Sequence, residues 1–270
     1  MLGFLGAGAM GSAILRGVLS AKAATAAEIR FTRVNDTAAT ALSAELGVQR
    51  AATNTALVSE LGKAGIVILG VKPYLVHEIL SEIAPAAAKN GTVIVSVAAG
   101  ISLEKLSAAL PANQPIVRAM PNVASAIGKG MTALCANDFV TAAQFAKIQE
   151  VFAAVGAVSV IAEKDFPAFS AIAGCSPAWT FAYIDALSRA ALAAGMTKAE
   201  SVRVAAQAVA GAAQLAFASL PEIRPQALID TVTSPGGTTV AGLIEMEQAG
   251  FSNAVINGVR AAIARDAQLG

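Results

Sequence analysis

The run Leu2-Gly3-Phe4-Leu5-Gly6-Ala7-Gly8-Ala9-Met10-Gly11 constrains this chain more than any other stretch. It sets a GxGxxG, at Gly6, Gly8 and Gly11, between a short apolar strand and a helical pattern. Gly6 permits a tight turn, Gly8 lets the backbone approach a pyrophosphate, and Gly11 lets the helix pack on the strand. The helix N-terminus then faces the anion. In a chain with 23 glycines the pattern alone arises easily by chance. The strand–turn–helix setting is what turns it into a dinucleotide site. A site for NAD usually places Asp or Glu at the end of the second strand, to hold the ribose 2′-hydroxyl. Here that strand ends Phe31-Thr32-Arg33-Val34-Asn35, with no carboxylate until Asp36. A hydroxyl and a guanidinium suit a 2′-phosphate, so NADPH is the expected cofactor and NADH the alternative.

The rest of the first half keeps the same rhythm. Strands are predicted at Met1–Leu5, Glu28–Thr32, Gly65–Val71, Thr92–Val97, Pro115–Ala119 and Ala157–Ile161. Between them helical patterns cover Met10–Lys22, Thr37–Leu46, Leu75–Ala88 and Leu103–Leu110. Such alternation is the mark of a parallel sheet covered by helices on both faces. After Glu163 the rhythm changes. From Pro177 onward helical patterns follow one another: Pro177–Ala194, Lys198–Ser219, Pro225–Thr231, Thr238–Ala249 and Ser252–Ala267. The fold expected is α/β, with a Rossmann-type parallel sheet over residues 1–163 and an all-α dimerisation unit over 164–270. These helices are rich in Ala, Gly and Ser with few charges, so they need a further surface to cover them. A second subunit is the simplest one.

Inventory narrows the chemistry. Nineteen basic and eighteen acidic residues leave a net charge of +1, with no long run of either sign, so neither nucleic acid nor an anionic membrane is an expected partner. Hydrophobic residues make up 56%, but Ile66–Val71 is too short to span a bilayer, and Val204–Leu220 is broken by Gln207, Gly211 and Gln214. The N-terminus has no charged leader pattern. Cys135 and Cys175 stand far apart without companion histidines, which reads as two reduced thiols in a cytoplasmic protein. His77 is the only histidine, so metal sites and His-based triads are not expected. Lys72 follows a buried strand, a place from which a lysine can act as a general acid. Trp179 reads as packing.

A second motif lies at Thr233-Ser234-Pro235-Gly236-Gly237-Thr238-Thr239, just before a helix. Exposed amides at a helix start can hold a carboxylate. The alternative is an ordinary turn capped by Thr238 or Thr239.

Taken with GVKP at Gly70–Pro73, SVAAG at Ser96–Gly100, VRAMPN at Val117–Asn122 and GCSPAW at Gly174–Trp179, these motifs make the chain resemble the pyrroline-5-carboxylate reductases over nearly its whole length. The resemblance implies hydride transfer from NAD(P)H to a cyclic imine, 1-pyrroline-5-carboxylate, giving L-proline. It also implies a helical domain interlocked with a second subunit, and an active site between the cofactor domain and the helical layer of the dimer. Family cofactor contacts fall on Gly6, Ala7, Gly8, Ala9, Met10, Gly11, Thr32, Arg33, Asn54, Val71, Lys72, Pro73, Ala98 and Ala99, which implies a cofactor-lining turn for Lys72 instead of a general acid's role. Substrate contacts fall on Glu163, Ser234, Gly236, Gly237, Thr238 and Thr239, with Glu222 nearby. The Thr239 hydroxyl would bond the ring nitrogen as the catalytic contact. The chain departs from the family pattern at Ala9, where Asn is usual, and at Cys175-Ser176-Pro177-Ala178-Trp179, where Ser-Gly-Pro-Ala-Tyr is usual. The larger Ser176 and Trp179 bear on which ring is accepted.

Two other readings stand beside this one. A β-hydroxyacid dehydrogenase also begins GxGxMG, but it wants a catalytic lysine in a helical-domain motif, a setting that Lys164 and Lys198 lack. A non-catalytic NADP-binding regulator accounts for the apolar helices and leaves the SPGGTT loop unexplained.

Overall fold

The branched runs do form strands, because residues that are stiff at χ1 pack well on a pleated surface. In the computed structural model, which describes residues 1–269, the first strands and helices are β1 (Leu2–Leu5), α1 (Ala9–Ser20), β2 (Ile29–Thr32), α2 (Asp36–Leu46), β3 (Gln49–Arg50) and α3 (Asn54–Glu60). There follow β4 (Ile66–Leu69), α4 (Val76–Asn90), β5 (Val93–Ser96), α5 (Leu103–Ala108) and β6 (Ile116–Met120). The sheet closes with β7 (Gly130–Ala136), α6 (Ala142–Ala153) and β8 (Gly156–Val160). The eight strands lie in the order β3-β2-β1-β4-β5-β6-β7-β8. Neighbours run parallel except β6 and β7, where Arg118 faces Cys135 in antiparallel register. The expected parallel sheet is therefore present from β3 to β6, and its far edge carries a reversed pair that the sequence did not announce. Strand β3, strand β7 and helices α3 and α6 also lie beyond the expected elements.

Period-two alternation divides the core. Leu2, Phe4, Ile29, Phe31, Ile68 and Val95 point to one face and pack with Ile14, Leu15 and Val18 of α1 and Phe152 of α6. Leu5, Val67, Leu69 and Ile94 point to the other face, against Leu57 of α3 and Leu80 and Ile83 of α4. Each of these side chains is nearly inaccessible to water, which stabilises by about 1.5–3 kcal/mol per large apolar residue. Asn35, Thr53, Ser102 and Thr141 cap α2, α3, α5 and α6 with side-chain oxygens. Helix α1 differs: its N-cap is Gly8, with no side-chain bond to its first amides.

After β8 come α7 (Phe166–Phe169) and a π-helical turn over Ser170–Cys175. Then follow α8 (Ser176–Ala193), α9 (Lys198–Ser219), α10 (Pro225–Val232), α11 (Thr238–Gln248) and α12 (Phe251–Leu269). The helical second half is thus as expected, with bounds moved by one or two residues. The chain divides into two compact units, Met1–Gly174 with Ile263 onward, and Cys175–Ala262. Within the second unit α8 packs on α9. The buried Ser188 hydroxyl donates to the Asp185 carbonyl and accepts from Lys198 Nζ. Few of this unit's residues are buried. Phe181 (62% exposed), Leu215 (58%) and Phe217 (69%) stand open on a single chain, more apolar surface than a soluble monomer ordinarily shows. Among the described residues no helix is long and apolar enough to cross a membrane, and no cluster of His, Cys, Asp and Glu could hold a metal ion.

Candidate cofactor site and substrate loop

The carboxyl ends of β1, β2, β4 and β5 lie side by side, and the chain turns away from each in the segments the sequence singled out: Gly6–Gly11, Thr32–Arg33, Gly70–Pro73 and Val97–Ala99. In a doubly wound sheet this edge is where ligands bind. Gly6 holds φ at +82°, and a Cβ there would meet the Gly70 carbonyl oxygen at 2.9 Å. The amides of Gly6 and Ala7 are spent on the Thr32 carbonyl, at 3.2 and 3.0 Å. That fixes the turn to β2, so the amides that could face an anion are those that open α1, Ala9, Met10 and Gly11. A Cβ on Gly8 would have its nearest neighbour 4.0 Å away, whereas one on Gly11 would press on the Gly6 carbonyl at 2.8 Å. Gly8 therefore faces open space and Gly11 faces the strand turn, the two roles the motif requires.

Beside this turn lies a cavity of about 350 Å³. It gathers Gly6, Thr32, Arg33, Asn54 and Val71 from the expected cofactor contacts, and adds Arg50, Thr53, Leu75, Ile79 and Glu82. Lys72 and Pro73 continue the same turn but do not line the cavity; Lys72 is exposed and precedes a 3-10 turn that Pro73 begins. Ala98 is buried with its amide on Ser96 Oγ at 3.3 Å, and Ala99 is exposed. A hydrogen-bonded chain runs across the floor: Thr32 Oγ1 donates to Asn54 Oδ1 at 2.9 Å, and Asn54 Nδ2 donates to Glu82 Oε2 at 2.8 Å. Asn54 is thus held rather than free. The Arg33 guanidinium has no hydrogen-bond or ion-pair partner among the described residues. Leu75, Ile79 and Glu82 share one helical face by their i, i+4, i+7 spacing, which brings Glu82 to the cavity once α4 packs there.

Glu163 lies in the Rossmann-type unit, in the turn after β8. Its Oε1 accepts from the Leu103 amide at 2.7 Å and from Arg118 Nη1 at 3.1 Å. The Arg118 guanidinium also sits 4.2 Å over the Phe166 ring, a cation–π contact. Burial pushes the nearby Cys135 thiol up, the Glu163 carboxylate pushes it further, and Arg118 opposes them. Ser102 caps α5 while Glu163 takes its first amide, so this carboxylate ties the loop that follows Ala98 and Ala99 to β6. That role was not read from the sequence.

The remaining expected substrate contacts lie in the helical unit. Helix α11 has Gly237 as its N-cap, at φ −75° and ψ 165°, and no side-chain capping bond. Thr238 and Thr239 are the first two helical residues, so the expected alternative of a threonine-capped turn does not hold. The Gly237 amide donates to the Ser234 carbonyl at 3.0 Å, which closes the turn. Ser234, Gly236, Thr238 and Thr239 are exposed, and the hydroxyls of Ser234, Thr238 and Thr239 have no partner among the described residues. Glu222 is likewise exposed.

A sheet of this order, with a glycine turn and a cavity at its carboxyl edge, defines a dinucleotide-binding protein of Rossmann type. Comparison with known proteins narrows the class. The profile described as "Pyrroline-5-carboxylate reductase dimerisation" matches residues 163–269, and that described as "NADP oxidoreductase coenzyme F420-dependent" matches residues 1–100. A pyrroline-5-carboxylate reductase of Synechocystis is 35% identical over 100% of this chain and 98% of its own. A pyrroline-5-carboxylate reductase structure from Coxiella burnetii superposes with a TM-score of 0.92 at 28% identity, over 100% of this chain and 98% of that one. A pyrroline carboxylate reductase structure from Plasmodium falciparum, with NADP bound, gives 0.87 at 26% identity, over 100% and 97%. The chain belongs to the pyrroline-5-carboxylate reductase family.

Proposed function

We propose that this protein reduces 1-pyrroline-5-carboxylate to L-proline with NADPH, NADH being the alternative, as a cytoplasmic self-associating enzyme. Residues 1–163 carry the cofactor, and residues 164–270 carry the substrate loop and the subunit contact. The observation that carries this reading is the start of α11: a glycine-capped helix whose opening amides and two threonine hydroxyls are uncommitted, in a chain related to such reductases from end to end.

The cofactor fits the residues present. Open space at Gly8 leaves room for a pyrophosphate against the opening amides of α1, and Arg33 offers an unpaired guanidinium where a 2′-phosphate would lie. Gly6 to Gly11, Thr32, Arg33, Asn54, Val71 to Pro73, Ala98 and Ala99 would hold it. When bound, it supplies a hydride to the imine carbon. The protein's part is mostly positioning, since an N-protonated imine is already electrophilic and the C=N π pair becomes the ring nitrogen's lone pair. The amides of Gly236, Thr238 and Thr239 hold the substrate carboxylate, with Ser234 and Glu163 as further contacts, while the Gly237 amide is spent on the Ser234 carbonyl. The Thr239 hydroxyl accepts from the ring N–H and so fixes which face meets the hydride. No acid–base histidine is needed, in keeping with a chain that has one.

The test is cofactor oxidation at 340 nm, with NADPH and NADH in parallel, against pyrroline-5-carboxylate and a six-membered cyclic imine acid. Turnover of the five-membered ring is expected, faster with NADPH. Turnover of the larger ring alone would assign a change of substrate to Cys175–Trp179, and silence with both would leave a non-catalytic nucleotide binder.

A further inference from the structure

The cavity next to the glycine turn holds a second cation besides Arg33. Arg50 is half of the two-residue strand β3, and its side chain lines the same space as Gly6, Thr32, Arg33 and Asn54. Its Nη2 donates to the Arg33 carbonyl at 2.9 Å and to Asp36 Oδ1 at 2.6 Å. Asp36 is the first carboxylate after β2 and the first residue of α2. A free carboxylate there would repel a ribose 2′-phosphate, and in a site for NAD it would hold the 2′-hydroxyl. Here it is paired, and Arg50 keeps Nε and Nη1 without a partner among the described residues. Asp36 lies beyond the cavity lining, and the one carboxylate among the described lining residues, Glu82, is engaged by Asn54.

We propose that Arg50 is a specificity-determining residue for the cofactor: it neutralises Asp36 and, with Arg33, forms a two-guanidinium seat for the 2′-phosphate. The inference rests on the cavity being the nucleotide site. A guanidinium offers five donors in a planar fork that matches phosphate oxygens, so Arg50 can keep its two bonds and still engage a phosphate. The seat joins two strands: Arg33 leaves the end of β2 while Arg50 comes from its edge neighbour, and the Arg33 carbonyl links them.

The test needs no turnover. Binding of adenosine 2′,5′-bisphosphate and of AMP, which differ only in the 2′-phosphate, is measured by calorimetry on the full chain. The wild type should bind the bisphosphate about ten-fold or more tightly. Arg50→Met should abolish most of that preference while leaving AMP binding within about two-fold, because the adenosine contacts remain. Arg50→Lys should keep a part of it, and Asp36→Asn should keep or raise it. Equal losses for both nucleotides in Arg50→Met, or no loss for either, would overturn the proposal, since a residue that only braces the turn acts on both or neither. A wild type that binds both alike would overturn it too and leave the nucleotide site standing. A wild type that binds neither would overturn the nucleotide reading as well.

Discussion

Thr239 stands at the second position of α11 with an exposed, uncommitted hydroxyl, which makes its role separable from folding. A hydrogen bond to a charged group contributes about 1.5–3 kcal/mol. Thr239→Ala should therefore lower kcat by about 10- to 100-fold with an unchanged melting temperature, and Thr239→Ser should restore most of it. Steady-state kinetics with pyrroline-5-carboxylate decides this; an unaltered kcat in the alanine variant would remove Thr239 from the reaction. Glu163 offers a different kind of test. Its carboxylate raises the Cys135 thiol, second to burial, while Arg118 lowers it. A raised thiol pKa means less thiolate at pH 8 and slow alkylation. Glu163→Gln keeps an oxygen for the Leu103 amide but removes the charge, so the alkylation midpoint of Cys135 should move to lower pH. Mass-spectrometric rates across pH 7–10 would show a few-fold gain at pH 8, or none if burial alone sets the thiol. At this scale the sequence was legible where chemistry is local. Gly6, Gly8, Gly11 and Arg33 follow from one strand, one turn and the next strand. Arg50 and Glu82 meet them only through pairing across the sheet and packing of α4, which no short motif encodes.

Among the elements, most strands and helices were legible because their apolar residues recur at two- or 3.6-residue spacing. Strand β3 was not: Gln49 and Arg50 are both exposed, and it owes its place to β2. Strand β7, GMTALCA, alternates weakly, and its pairing reverses direction against β6. The β7–β8 edge depends instead on backbone proximity. Gly156 holds φ at +147°, and a Cβ there would collide with the Gly130 backbone. Gly156→Ala should therefore destabilise the Rossmann-type unit by about 2–4 kcal/mol. Urea unfolding would show a lower midpoint, while nucleotide binding per folded molecule stays as in the wild type. A wild-type midpoint would mean the edge can part without cost.

On the scale of the whole molecule, the helical unit reads as half of something larger. Its exposed Phe181, Leu215 and Phe217 fit the match of residues 163–269 to a dimerisation profile. Apolar surface of this kind is normally buried by a second copy. Phe217→Glu should shift sedimentation toward the monomer and lower the melting temperature in a concentration-dependent way. An unchanged sedimentation coefficient would place the subunit contact elsewhere on the unit. Self-association was legible in the composition, but which helix faces which was not, because Ala-rich helices look alike on every side.

The residues that line the cavity beside the glycine turn run from Gly6 to Glu82, and the proposed cofactor contacts end at Ala99, whereas the proposed substrate contacts begin at Glu163. Preference for one cofactor and preference for one imine are therefore inherited on separate stretches of sequence. A lineage can drift toward a different ring through Cys175–Trp179 or Ser234–Thr239 and leave its nucleotide seat untouched. Equally, a crossover between residues 100 and 162 would join a new substrate half to the proposed cofactor contacts intact.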